Sequence, residues 1–197
     1  MNTKHARIAL ATLACCAALV AAAPAGADDA ADKAKNDAMM AEMMKNAAPG
    51  PDHKALEPMV GTWKATVKSW WAPGEPQVTE GTMVNSMVMG GRVLEGRFSG
   101  TMMGQPFKGL SMMGYDNAKK QYWSTWVDDM STALVLHTGG PMKDKSIVLT
   151  GMAEGMDGKP MECTSTTKII DANTHVYSMT GKIQGKDTPL MEITYKR

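Results

Sequence analysis

The sequence contains only three cysteines, and two of them, Cys15 and Cys16, lie in an apolar run at the amino terminus. If that run is removed, Cys163 is the one cysteine left, so the remaining chain cannot form an internal disulfide. A lone cysteine in a strand usually behaves as a small buried hydrophobic residue. We therefore predict a structural role for Cys163.

The chain also lacks an excess of either charge, since 21 Lys and Arg residues stand against 20 Asp and Glu residues. No basic patch dominates, so nucleic acids and anionic membrane surfaces are not expected partners. Familiar catalytic motifs are missing: there is no Gly-x-Ser-x-Gly elbow, no His-Glu-x-x-His zinc motif and no phosphate-cradling loop. No motif requires a cofactor. These absences favour binding over catalysis.

The amino-terminal segment has the pattern of a secretory signal. Lys4 and Arg7 precede an apolar run over residues 8–23, which is too short for a good membrane-spanning helix. We predict a signal peptide over residues 1–27, with cleavage after Ala27 and a periplasmic or secreted product. The two cysteines in the run fit a lipid-anchor signal poorly, so a lipoprotein is not expected.

A helical leader and linker are predicted for residues 28–56. Residues 28–48 are rich in Ala, Lys and Asp, and Pro49 ends the helical pattern. Four methionines form one apolar stripe at helical spacing: Met39, Met40, Met43 and Met44. Thioether sulfurs select Cu(I), so the stripe suggests a speculative copper site. Docking of a protein partner through the same stripe is an alternative. The simplest interpretation of twenty methionines is flexible apolar filler.

Residues 57–197 alternate between apolar and polar side chains with the period of two that is typical of strands. Ten such runs, separated by Gly-, Asn- and Asp-rich turns, predict an antiparallel sandwich or barrel. They include runs over residues 77–88 and 121–128 and a last run over residues 189–196, which follows a predicted turn at residues 185–187. A closed barrel leaves no exposed strand edge and is the preferred architecture. The nineteen glycines are consistent with strongly bent strands. The predicted fold class is all-β, with one barrel domain over residues 57–197.

Several short stretches, spread over residues 58–197, resemble one protein family. They are Gly61-Thr62-Trp63, Met89–Leu94, Met103–Phe107, Gly114–Asn117, Trp126–Thr132 and Met191–Tyr195. Together they look like the bacterial domain-of-unknown-function 1579 family. The resemblance implies a calycin-like barrel, related in shape to lipocalins and fatty-acid-binding proteins, and it implies no activity.

Closure of the barrel at one end is a further expectation from resemblance. The Gly-x-Trp start is similar to the lipocalin opening, in which the Trp plugs one end of the barrel and a cationic residue covers it. Here Trp63 would be the plug, and Lys196 or Arg197 the cover, through a cation–π contact.

The function that we expect is binding of a small, largely apolar ligand inside the barrel. Aromatic and rim residues are the candidates for its site: Trp71, Tyr115, Trp123, Trp126, Asp128, Asp129, Ser131 and His137. Trp123 and Trp126 have opposite parity, so one of them should face the interior. The alternative is that residues 128–132 form a solvated, side-chain-capped turn. Haem handling through His137 or His175 is a further alternative, because some ten-stranded calycin relatives bind haem through one strand histidine.

Overall fold

The computed structural model of the protein describes residues 27–70, 74–155 and 158–197. The predicted signal peptide, apart from Ala27, and the candidate site residue Trp71 lie outside the described residues. The chain divides between Glu42 and Met43 into two units. α1 (Ala27–Ala47) is a helix of 21 residues that contributes to both. The predicted leader helix therefore agrees with α1 to within one residue at each end.

The unit that begins at Met43 contains ten strands, preceded by α2 (Pro51–Lys54) and a 3-10 turn (Glu57–Met59). The strands are β1 (Gly61–Ser69), β2 (Gln77–Val88), β3 (Val93–Met102), β4 (Gln105–Asp116), β5 (Gln121–Asp128), β6 (Val135–Gly139), β7 (Ser146–Glu154), β8 (Pro160–Asp171), β9 (Thr174–Ile183) and β10 (Lys186–Lys196). Each strand pairs antiparallel with its sequence neighbour, and β1 also pairs with β10. The sheet is thus a closed barrel, which confirms the predicted fold class.

Alternation along β1 shows why this sequence makes a barrel wall. Trp63, Ala65 and Val67 are buried, whereas Thr62 and Lys64, which alternate with them, are exposed. Successive side chains of a strand point to opposite faces, so one face of β1 is apolar and the other is wetted. Pairing of β1 with β10 satisfies the backbone groups that an open sheet would leave at its two edges.

Two hairpin turns are set by residues with positive φ. Met103-Gly104 joins β3 to β4 and Gln184-Gly185 joins β9 to β10, and all four residues have φ between 51° and 77°. A two-residue loop with positive φ at both positions is the type I′ turn that matches strand twist. The sequence placed the second turn at residues 185–187 and began the last strand at Pro189. The structure begins β10 at Lys186, with Pro189 beside a bulge, where a missing N–H is tolerated.

Two hydrophobic clusters occupy much of the barrel interior. One is composed of Trp63, Ala65, Val67, Met83, Phe98, Phe107, Ile193 and Tyr195. The other lies near α2 and the 3-10 turn and is composed of Leu56, Met59, Leu94, Tyr122, Ile147 and Leu149. Phe98 lies over Gly81 and Gly100, since a Cβ on either glycine would meet its ring. Inward-facing glycines therefore make room for the few large rings, in addition to easing strand bending.

We expect Gly109→Ala to lower the free energy of unfolding by about 1–3 kcal/mol. A Cβ at this position would lie 2.1 Å from the Trp126 ring. Urea unfolding measures the loss. Gly140→Ala is the matched control, because nothing lies within 4 Å of a Cβ there. If Gly109 serves to make room for the Trp126 ring, the double variant Gly109→Ala/Trp126→Val loses less stability than the sum of the losses in the two single variants.

Candidate functional site

One end of the barrel is covered by the segment that leads into β1. The Tyr122 hydroxyl donates to the backbone carbonyl of Asp52 in α2 over 2.9 Å. The carbonyl of Met59 accepts from Trp63 Nε1 at 2.8 Å and from Asn85 Nδ2 at 2.9 Å. All three donors lie in strands that bound this end. We call it the covered end.

Trp63 lies at the covered end in a stack of rings. Its indole meets the His175 ring edge-on at 4.4 Å, and His175 stacks on Tyr195 at 4.5 Å. The guanidinium carbon of Arg197 lies 4.0 Å from the centre of the Trp63 ring. Of Lys196 and Arg197, the two residues expected to cover Trp63, it is Arg197 that makes this contact. Arg197 also donates to the carbonyls of Pro58 and Val60.

His175 is held at this end as a neutral ring. Burial, with a smaller contribution from the Arg197 charge, lowers the pKa of His175 to about 4. Its Nδ1 has no hydrogen-bond partner among the described residues. With rings on two sides, His175 is a packing residue of the covered end.

The opposite end, which we call the open end, keeps its interior partly accessible. Along β5 to β10 the inward-facing side chains there are of intermediate exposure: Trp126, Val135, Ala153, Met161, Met179 and Met191. The first inward-facing residues at the covered end, such as Tyr122 and Ile147, are almost wholly buried. The inward-facing residues of β5 to β10 are therefore less completely covered at the open end than those at the covered end.

Two inward-facing serines at the middle of the barrel, Ser111 and Ser124, are not fully buried. Ser111 pairs with Gly96 and Trp126, and Ser124 pairs with Met113 and His137. By alternation along their strands both serines face the interior, yet both keep intermediate exposure. A ten-stranded barrel is wider than an eight-stranded barrel, whose interior is just filled by its own side chains. The two clusters thus leave some interior surface uncovered.

A polar group lies at this level of the barrel. His137 Nδ1 and Ser165 Oγ are 2.9 Å apart, and both residues are buried, at 2% and 3% exposure. The His137 ring lies over Gly151, where a Cβ would be 2.4 Å from Cδ2. Burial lowers the pKa of His137, so its ring is neutral at neutral pH. His137 Nε2 is buried and has no hydrogen-bond partner among the described residues.

The two tryptophans of β5 point to opposite faces. Trp126 packs against the interior cluster, with its ring 6.3 Å from Phe107. The Trp123 ring lies against Gly114, outside the interior clusters. Parity predicted that the two would differ, and the structure identifies Trp126 as the inward one.

The acidic and hydroxyl residues after β5 form a hydrogen-bonded turn. The Asp128 carboxylate accepts from Trp126 Nε1 at 2.8 Å and from the backbone N–H groups of Met130 and Ser131. Asp129 accepts from the backbone N–H of Lys108 at 3.0 Å. These carboxylates are engaged in fixing the loop at the rim of the open end.

Tyr115 is not part of the open end. Its ring packs edge-on against Tyr122 at 4.9 Å and against His53 at 6.0 Å, beside α2. Burial and the nearby Asp52 raise the pKa of Tyr115. Among the candidate ligand-binding residues, the structure therefore places Trp126 and His137 in the interior and Tyr115 at the covered end.

Two open surface depressions, of about 490 and 500 Å³, lie beside loops. The first is lined by the β6–β7 loop and outer residues such as Val148 and Lys168. The second is lined by residues 129–133 and Glu154 at the rim of the open end. Both are shallow, so neither has the enclosure that a small-molecule site requires.

In the part of the chain that the structure describes, no three His, Cys, Asp or Glu side chains come together as a metal site. The four methionines of the α1 stripe are each between 56% and 66% exposed. No described helix has both the length and the apolar character needed to cross a bilayer.

Three interior residues of β8 and β9 were missed by sequence reasoning. Met161, Ser165 and Met179 face inward at the open end or beside His137. Cys163, Ser165 and Thr167 are buried, and the residues between them are more exposed. That parity was available in the sequence, but the neighbours of each residue across the barrel were not.

Comparison with known proteins identifies the family of this chain. No curated protein matches the chain. A solved structure of a redesigned β-barrel is 14% identical, covers 73% of this chain and 94% of its own, and has a TM-score of 0.39. The model of the family described as "Protein of unknown function (DUF1579)" matches residues 48–197, about ten residues more than the stretch over which the sequence resemblance was noted. The chain belongs to the DUF1579 family.

Proposed function

We propose that the barrel binds a small, largely apolar molecule, which enters through the open end. The observation that carries the proposal is the intermediate exposure of inward-facing residues, from Met191 at the open end to Ser124 at mid-barrel. Burial of apolar ligand surface there would contribute roughly 25 cal/mol per Å² before the costs of binding.

Three methionines make the open end adaptable. Met161, Met179 and Met191 are on consecutive strands, and Met179 pairs directly with Met191. Methionine is unbranched and fills irregular gaps, so these side chains can move aside and repack around a ligand. The two clusters occupy much of the remaining interior, which limits the ligand to a small molecule.

A neutral fluorescent probe, N-phenyl-1-naphthylamine, tests the proposal. We expect its emission to rise on binding and Ala153→Phe to weaken its affinity at least tenfold, because Ala153 faces the interior at the open end. Met152→Phe is the matched control, since Met152 is the next residue on β7, is 53% exposed and points outward. Equal weakening by both changes, or no binding by the native protein, would contradict the proposal.

We further propose that the protein is exported and cleaved after Ala27, as the signal pattern of residues 1–27 indicates. The expected result is a mature chain that begins at Asp28. Intact mass measurement of the protein recovered from the periplasm or medium checks this. A recovered chain that still carries residues 1–27 would contradict it.

A further inference from the structure

The unpartnered nitrogen of His137 is the feature of the interior that packing does not explain. His137 is 2% exposed, and its Nε2 has no hydrogen-bond partner among the described residues. A buried polar atom without a partner costs about as much as a lost hydrogen bond. Its other ring nitrogen is held by Ser165 Oγ at 2.9 Å, so the ring orientation is set. The arrangement is that of a polar group positioned in advance for a ligand.

A comparison with His175 shows that burial alone does not define this site. His175 also has an unpartnered ring nitrogen, but it is packed between Trp63 and Tyr195 at the covered end. Within the described ranges His137 has no such ring partners, and its neighbours across the sheet are the small residues Ser124 and Gly151. Ser124 keeps accessible surface beside it. A ligand from the open end would have to displace neighbouring side chains to reach Nε2 of His137, which is buried, whereas His175 is enclosed by two rings at the covered end.

We infer that the ligand carries one uncharged hydroxyl-type head group, which is hydrogen-bonded to His137 Nε2, with its apolar part directed toward the methionines of the open end. This inference rests on the proposed function. A hydroxyl both donates and accepts, so it pairs with Nε2 whichever tautomer the Ser165 contact selects.

The surroundings of His137 disfavour a charged head group. Ser124, Cys163 and Ser165, which face inward on β5 and β8, carry no charge, and burial raises the pKa of the Cys163 thiol, so it stays protonated. Burial also lowers the pKa of His137. The carboxylate of β5, Asp128, is engaged at the rim by Trp126. A carboxylate or ammonium ion buried here would lose its hydration without a counter-charge.

Displacement of N-phenyl-1-naphthylamine by ten-carbon competitors at pH 7.5 tests the inference. The competitors are 1-decanol, 1-chlorodecane, decanoate and decylammonium. We expect 1-decanol to bind roughly 3- to 10-fold more tightly than 1-chlorodecane, as one added hydrogen bond predicts. The two ions should bind more weakly than the alcohol.

Variants of the two histidines assign the effect. His137→Phe should remove the preference for the alcohol while probe binding persists, and His137→Gln, which keeps a hydrogen-bonding side chain, should restore part of it. His175→Phe is the matched control and should leave the preference unchanged.

The possible failures are distinguishable. Probe binding without a preference for the alcohol, or a preference that survives His137→Phe, would overturn this inference alone. A crystal structure with 1-decanol in which His137 Nε2 contacts only an internal water would do the same. Absence of any probe binding would overturn the proposed function and this inference with it.

Discussion

Trp63→Ala should lower the free energy of unfolding by about 3–5 kcal/mol, the range for removing a large buried ring. Trp63 is 1% exposed, donates to the Met59 carbonyl, and contacts both His175 and Arg197. The change therefore opens a cavity and also detaches the segment that covers the barrel. Urea unfolding followed by circular dichroism measures the loss.

Two variants separate the parts of this effect. Arg197→Met removes the cation over the ring and its hydrogen bonds to Pro58 and Val60, and we expect a smaller loss of about 1–2 kcal/mol. Trp123→Ala is the matched control, since Trp123 is a tryptophan of the same sheet but only partly buried, over Gly114. A loss at Trp123 as large as that at Trp63 would show that Trp63 does not hold the covered end.

Acidification should destabilise the protein by about 2 kcal/mol between pH 7.5 and pH 5 through His175. Its pKa is lowered to about 4 by burial and by Arg197, against an ordinary value of about 6.5. Above pH 6.5 the ring is neutral in both the folded and unfolded chains. Below pH 6.5 the unfolded chain takes up a proton that the folded chain excludes down to about pH 4, so stability decreases as the pH is lowered.

The measurement is the free energy of unfolding in urea at pH 7.5, 6 and 5. His175→Phe should flatten this dependence, because phenylalanine keeps a ring between Trp63 and Tyr195 but does not titrate. His137, whose pKa burial also lowers, should add a smaller dependence of the same sign. An unchanged slope in His175→Phe would exclude His175 as the cause.

The strand pattern was recoverable from the sequence because each strand has one face toward the core. β2 and β5 were predicted with the bounds that the structure shows, residues 77–88 and 121–128. Errors arose where local chemistry was ambiguous: Gly185-Lys186-Asp187 has turn composition, yet the turn uses Gln184-Gly185 and β10 starts at Lys186. Positive φ at a non-glycine residue such as Gln184 is not marked in composition.

The candidate site was recoverable only in fragments. Trp126 and His137 were both named from the sequence, and both face the interior. Tyr115 was grouped with them but belongs to the covered end, because position along a strand decides which end of a barrel a residue reaches. Ser165 was not named, although it forms the hydrogen bond that orients His137 from 28 residues away in sequence.

The sequence by itself determined the class of fold, since alternating polarity and turn residues dictate many short strands, and closure follows from the cost of exposed edges. Tertiary structure alone decided which end is covered, that Arg197 rather than Lys196 lies on Trp63, and that His137 meets Ser165. Those contacts depend on strand register around the whole ring. The register of each hairpin is set by its own turn and apolar pattern, but contacts across the ring depend on all ten registers together, so no single local pattern in the sequence encodes them.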